Sequence, residues 1–108
     1  MTTTIAARLA NHFHQFDYRK LPQASQTAVK RLLLDYLGVA LAGSQTESGR
    51  VARAFAQSSG GKAEASLIGD AVRVPAAQAA FANAISSHSI ELDDIVVLAL
   101  FHFSPPVF

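Results

Sequence analysis

The sequence predicts a mainly α chain: a helical bundle segment of about four helices carrying one small β-hairpin. Three observations lead there. Apolar residues recur at i, i+3, i+4 and i+7 through several stretches, which is the spacing of one helical face. Only residues 65–74 carry a strand–turn–strand pattern, around Gly69-Asp70. Half of the 108 residues are apolar and 16% are charged, enough for a real core and too little charge for a disordered segment.

The elements follow in order. Residues 2–4 are threonines that suit a helix N-cap. Ile5, Leu9 and Phe13 then recur every four residues, a first amphipathic helix ending near His14. His12 and His14 lie on its flank. They read as surface histidines rather than a metal pair, because residues two apart do not face one another on a helix. Residues 18–22 form a connector stopped by Pro22. The strongest helix covers residues 23–42, with Val29, Leu32, Leu33, Tyr36, Leu37, Ala40 and Leu41 as its stripe and Gly43 as its C-cap. Gly38 interrupts that helix and points to a close helix crossing, or else to a nearby ligand. Residues 44–49 read as a loop. Val51, Ala52 and Phe55 mark a short third helix ending before Ser58. Gly60-Gly61 is not a phosphate loop, since no Gly-Lys-Ser/Thr follows and no strand precedes it. The hairpin places residues 65–68 against 71–74 across a two-residue turn at Gly69-Asp70.

The stretch from Pro75 to Ser104 organises the rest. Pro75 fits the first helical position. Ala77, Ala80, Phe81, Ala84, Ile85 and His88 form one face, predicted to be buried and to end in the histidine. Glu91 and the pair Asp93-Asp94 follow within two turns. Unpartnered buried charge is costly, so such groups pair, shift their pKa or line a wet cavity. Two readings are open: a polar pocket holding an acid, a base and an orienting group, or a helix C-terminus with solvated acids beside it. A divalent-cation site at His88, Glu91, Asp93 and Asp94 is a third, although the spacing matches no defined motif.

Composition excludes several classes. The net charge is +1 and the lysines and arginines are scattered, which argues against a nucleic-acid surface. No cysteine is present, so disulfides, thiolate metal sites and a cysteine nucleophile are excluded, and a reducing cytoplasm is expected. No basic patch precedes an apolar signal core. The run of residues 95–101 is far shorter than the about 20 residues that a membrane-spanning helix needs, so no membrane partner is expected. Residues 95–108 are almost wholly apolar. This predicts either that the sequence is the front of a longer polypeptide or that the tail packs on a partner chain.

Several of these residues together resemble the N-terminal part of the MmgE/PrpD family, which includes 2-methylcitrate dehydratase, cis-aconitate decarboxylase and iminodisuccinate epimerase. The matching pieces are Leu21-Pro22; Leu34-Asp35-Tyr36-Leu37-Gly38 with Ala42-Gly43; Val74-Pro75-Ala76; Ala79-Ala80-Phe81-Ala82-Asn83; His88 with Glu91-Leu92-Asp93-Asp94; and His102 with Ser104. The resemblance covers essentially the whole chain. It implies a large helical domain, no cofactor, a small di- or tricarboxylate substrate and a homodimer. It also implies that Glu91, Asp94 and His102 are catalytic and that His88, Asp93 and Ser104 contact substrate or support the site, with no metal. Phe103 stands where the family usually has proline, and Ile95 where decarboxylase-like members have threonine. Family chains are much longer and supply further lysine and histidine residues from later segments.

The implied chemistry is elimination of water from a hydroxy acid. It needs a base, an acid for the departing hydroxyl, and cations for the carboxylates. Histidine suits the first role because imidazole titrates near working pH, and a neighbouring carboxylate can fix its tautomer. Here His102 is the expected acid or base, with Glu91 or Asp94 orienting it. No Lys or Arg lies between Arg73 and Phe108. The chain by itself is therefore expected to be inactive. The alternative from another class is a non-catalytic helical module that associates through its apolar tail.

Overall fold

The computed structural model describes residues 4–108. The fold is mainly α, as the sequence predicts. The helices are α1 (Ile5–His14), α2 (Gln23–Gly43), α3 (Glu47–Ser58), α4 (Ala76–His88) and the one-turn α5 (Ser104–Val107), with a 3-10 turn at Tyr18–Lys20. Strands β1 (Ala65–Ser66) and β2 (Arg73–Val74) pair antiparallel, Ala65 opposite Val74 and Ser66 opposite Arg73. Among the described residues, no helix is long and apolar enough to cross a membrane.

The central element is α4, against which α2, α3, the hairpin and α5 all pack. Ala52 and Ala56 of α3, Leu67 and Val74 of the hairpin, and Ala79 and Ala82 of α4 form the buried cluster, with Ala65 and Ile85 against it. The buried face of α4 is therefore Ala79, Ala82, Ser86 and Ser87. This corrects the predicted stripe: Ala77, Ala80 and Phe81 are exposed, and Ala84 and Ile85 only half-buried. The reason is that α4 is apolar nearly all round, so periodicity cannot choose a side. Packing chooses the side with the smallest residues, where neighbouring helices approach most closely.

Glycine placement follows the same rule. A Cβ on Gly43 would lie 1.9 Å from the Ser86 carbonyl oxygen, and one on Gly49 would lie 2.3 Å from the Gly43 carbonyl oxygen. The close crossing thus falls at Gly43, the last residue of α2, and not at Gly38, which faces open space. Ser44 takes the C-cap position instead, buried, with its hydroxyl donating to Leu41 O at 2.7 Å. Helix α3 begins at Glu47, earlier than the predicted loop allows. Thr46 caps it by accepting the Gly49 N–H at 3.1 Å, and the tight fit of Gly49 outweighs its poor helix propensity. For α1 the cap is Thr4, which accepts the Ala7 N–H at 3.2 Å; Thr2 and Thr3, also expected to cap, lie outside the described residues.

The hairpin keeps the predicted register, centred on Gly69-Asp70, but its loop is longer than the expected two residues: Leu67 N–H donates to Val72 O at 3.4 Å and closes a loop over residues 68–71, with a β-turn inside it. Asp70 N–H donates to Leu67 O at 3.2 Å, so Ile68 and Gly69 are the central pair of that turn, and Gly69 supplies the φ of +80° that it needs. Strands this short are marginal alone. They are pinned to α4 by Asn83, whose side chain accepts the Ile68 N–H at 2.8 Å and donates to Ser66 O at 3.1 Å. From α3, Arg53 donates to Gly69 O at 2.9 Å and Gln57 to Asp70 Oδ2 at 2.9 Å.

Helix α1 buries none of its residues, and Ile5, Leu9 and Phe13 face outward. Along α2, Val29, Leu33, Leu37 and Leu41 are likewise exposed, while Tyr36, Ala40 and Gly43 are buried. The apolar tail folds back on its own chain: the Phe108 ring sits 5.7 Å from that of Tyr36, although Val97, Leu98 and Leu100 are exposed.

Candidate functional site

The C-terminal end of α4 builds the site. His88 is its last residue, and Glu91 N–H donates back to His88 O at 3.2 Å. This reversal holds Glu91 at a φ of +54°, a left-handed conformation that costs a non-glycine residue of order 1 kcal/mol. The turn brings Glu91 Oε1 to 3.5 Å from His88 Nε2. Residues 95–101 then double back through a bridge between Val96 and Phe101, and His102 returns to His88 with ring centroids 4.7 Å apart and planes inclined at 70°. Asp94 closes this loop by accepting the Ser104 N–H at 3.1 Å.

Asp93 lies between the two imidazoles with a side chain that is 0% exposed. Its oxygens stand 3.0 and 3.1 Å from His88 Nδ1, a hydrogen bond in which the ring N–H donates. Its Oδ2 is also 3.0 Å from His102 Nδ1, but off the N–H direction, so that buried nitrogen makes a close polar contact and no hydrogen bond. The arrangement gives the carboxylate its partners and leaves His88 Nε2 free. The imidazole of His88 is 45% exposed and that of His102 26%, while the Glu91 carboxylate is 73% exposed.

These groups edge an open cleft of about 790 Å³ walled by Phe81, Ala84 and Ile85 of α4, by Leu100 and Phe101, and by Pro105-Pro106. The volume falls in the range of small-molecule sites. Its polar lining is Ser48, His88, Ser89, Glu91 and His102, with no lysine or arginine. The face predicted to be core thus serves as a cleft wall.

Of the six residues singled out from sequence, His88, Glu91 and His102 converge on the cleft. Asp93 is behind them, in the orienting position that the sequence reading weighed for Glu91 or Asp94. Asp94 instead holds backbone, and its Oδ2 is buried without a partner. Ser104 is buried, its Oγ also unpartnered, and does not line the cleft. Sequence reasoning did not pick out Phe81, Ile85 or Phe101 as cleft walls. A signal existed for the first two, since they lead along one helical face into His88.

A family model for the MmgE/PrpD N-terminal domain matches residues 7–108. No curated protein and no solved structure matches the chain.

Proposed function

The chain belongs to the MmgE/PrpD family through its N-terminal domain, and from that premise we propose that it supplies the acid–base half of a cofactor-independent lyase site for small di- or tricarboxylates. One observation carries the reading: a fully buried carboxylate, Asp93, set against two imidazoles at the edge of a cleft. In this proposal His102 moves the proton, while Asp93 anchors the His88 ring by a hydrogen bond and the His102 ring packs against that of His88. Glu91, exposed at the rim, meets the substrate or its departing hydroxyl. Asp94 acts through the backbone, holding Ser104 and so the segment that carries His102. Phe81 and Phe101 give the cleft an apolar wall beside these polar groups.

The cations that a polycarboxylate requires are absent from the cleft lining, so the 108 residues need groups from elsewhere. Dehydration of 2-methylcitrate, followed by the appearance of its conjugated alkene, tests this. The chain alone is expected to give no product. In an intact family member carrying these residues, His102→Ala is expected to lower kcat by about 100-fold or more, the usual contribution of a general acid–base group. Turnover by the chain alone, or full activity of that variant, refutes the assignment.

A second reading, a non-catalytic module that pairs with a copy of itself, is favoured by the outward-facing Ile5, Leu9 and Phe13 of α1 and Leu33, Leu37 and Leu41 of α2. A homodimer is compatible with both readings. Sedimentation across a range of concentrations separates dimer from monomer.

A further inference from the structure

We propose that His88, Glu91 and His102 form a site for a divalent cation of the zinc type, with Asp93 as its positioning residue. One nitrogen from each imidazole and one Glu91 oxygen lie within 4.8 Å of one another. Bonds of about 2.1 Å arranged tetrahedrally set ligand atoms roughly 3.4 Å apart. The pair His88 Nε2 and Glu91 Oε1, at 3.5 Å, already stands at that spacing. The two distances to the His102 nitrogen are within 4.8 Å, so each has at most about 1.4 Å to close to reach that spacing, a matter of side-chain rotation. Two imidazoles and a carboxylate suit zinc, cobalt or nickel better than magnesium or calcium, which prefer all-oxygen sites.

Two further observations point to the cation. The His88 Nδ1–H donates to buried Asp93, which leaves the Nε2 lone pair directed at Glu91. A carboxylate behind a histidine is the arrangement that orients metal-bound imidazoles and raises their basicity. The left-handed backbone of Glu91, with φ of +54°, is a local cost that holds this carboxylate against the histidine. Spacing along the chain hides the set, because His102 reaches it only through the doubled-back segment 95–101. The fourth coordination position faces the cleft and is open to water or to a ligand carboxylate. The site stands on this geometry and does not rest on the lyase reading. A bound cation takes a nitrogen lone pair that proton transfer needs, so its occupancy opposes acid–base work by His102.

Titration of the chain with cobalt(II), read by its visible d–d bands, with zinc(II) as competitor, tests the proposal. One cation per chain is expected, displaced by zinc. His88→Ala and His102→Ala are expected to abolish the bands. Asp93→Asn should weaken binding about 10- to 100-fold with the helical circular dichroism unchanged. Should the buried change unfold the chain, Glu91→Gln at the exposed rim provides the same reading and is expected to weaken binding at least 10-fold. A double His12→Ala, His14→Ala variant should bind as the parent does. Absent bands, or bands that survive His88→Ala or Glu91→Gln and vanish with His12 and His14, overturn it.

Discussion

Tyr36 is the residue whose chemistry most directly reports the closeness of the fold. Burial raises its hydroxyl above the ordinary value of 10.0, against a smaller opposite pull from a hydrogen bond with Ser87. The unfolded chain therefore releases this proton at a lower pH than the folded chain does. Stability from the neutral phenol is complete below about pH 10 and is lost as pH rises from there through the folded value. Urea midpoints measured across that window should fall less steeply for Tyr36→Phe than for the parent; parallel slopes would refute the argument. Single residues also show the limits of reading a sequence. His88, Glu91 and His102 were legible as polar groups inside a greasy context. Which acid stands behind the imidazoles was not, because Asp93 and Asp94 are adjacent and identical, and only the path of the chain after α4 sends one inward and the other to the Ser104 amide.

At the scale of elements, the closest approach between α2 and α4 is backbone on backbone, Gly43 against the Ser86 carbonyl. Gly43→Ala would place a methyl 1.9 Å from the Ser86 carbonyl oxygen, where no side chain can move aside. We expect this change to destabilise the chain by about 1–3 kcal/mol or more, the range of overpacked cores, read as a lowered urea midpoint. Gly38→Ala meets nothing within 4 Å and replaces a poor helix former, so it should stabilise the chain by up to about 1 kcal/mol and raise that midpoint. The opposite signs separate crossing from propensity. Helix positions and the hairpin were legible because periodicity and turn residues are local signals. The buried faces of α2 and α4 were not, since Leu, Val and Ala occupy both sides and tertiary contact alone selects the small ones. The start of α3 was hidden for a related reason: Gly49 reads as loop until its neighbour is known.

The whole molecule is loose for its size. Its radius of gyration is 16.5 Å and its longest extent 46 Å, against about 13 Å expected for a compact chain of this length. The excess is consistent with α1, which buries nothing, and with the outward leucines of α2. Amide exchange by mass spectrometry should accordingly find residues 5–14 weakly protected and residues 79–87 the slowest to exchange. Strong protection of α1 in the isolated chain at high dilution would contradict this description. The apolar content was plain in the sequence, but composition cannot say which hydrophobic surfaces a chain satisfies by itself.

The glycine–carbonyl joint between α2 and α4 has one more consequence. At that crossing backbone rests directly on backbone, and the Ser89 hydroxyl donates to Gly43 O at 3.1 Å, so the helical wall of the cleft is fixed like a bench. The opposite wall, residues 95–106, is held by the Val96–Phe101 bridge, the Asp94 clasp, the His102–His88 ring contact and the short helix α5. Differences in the length or girth of what enters are therefore absorbed by that opposite wall, and a change of selectivity is to be sought in residues 95–106 before any in α4.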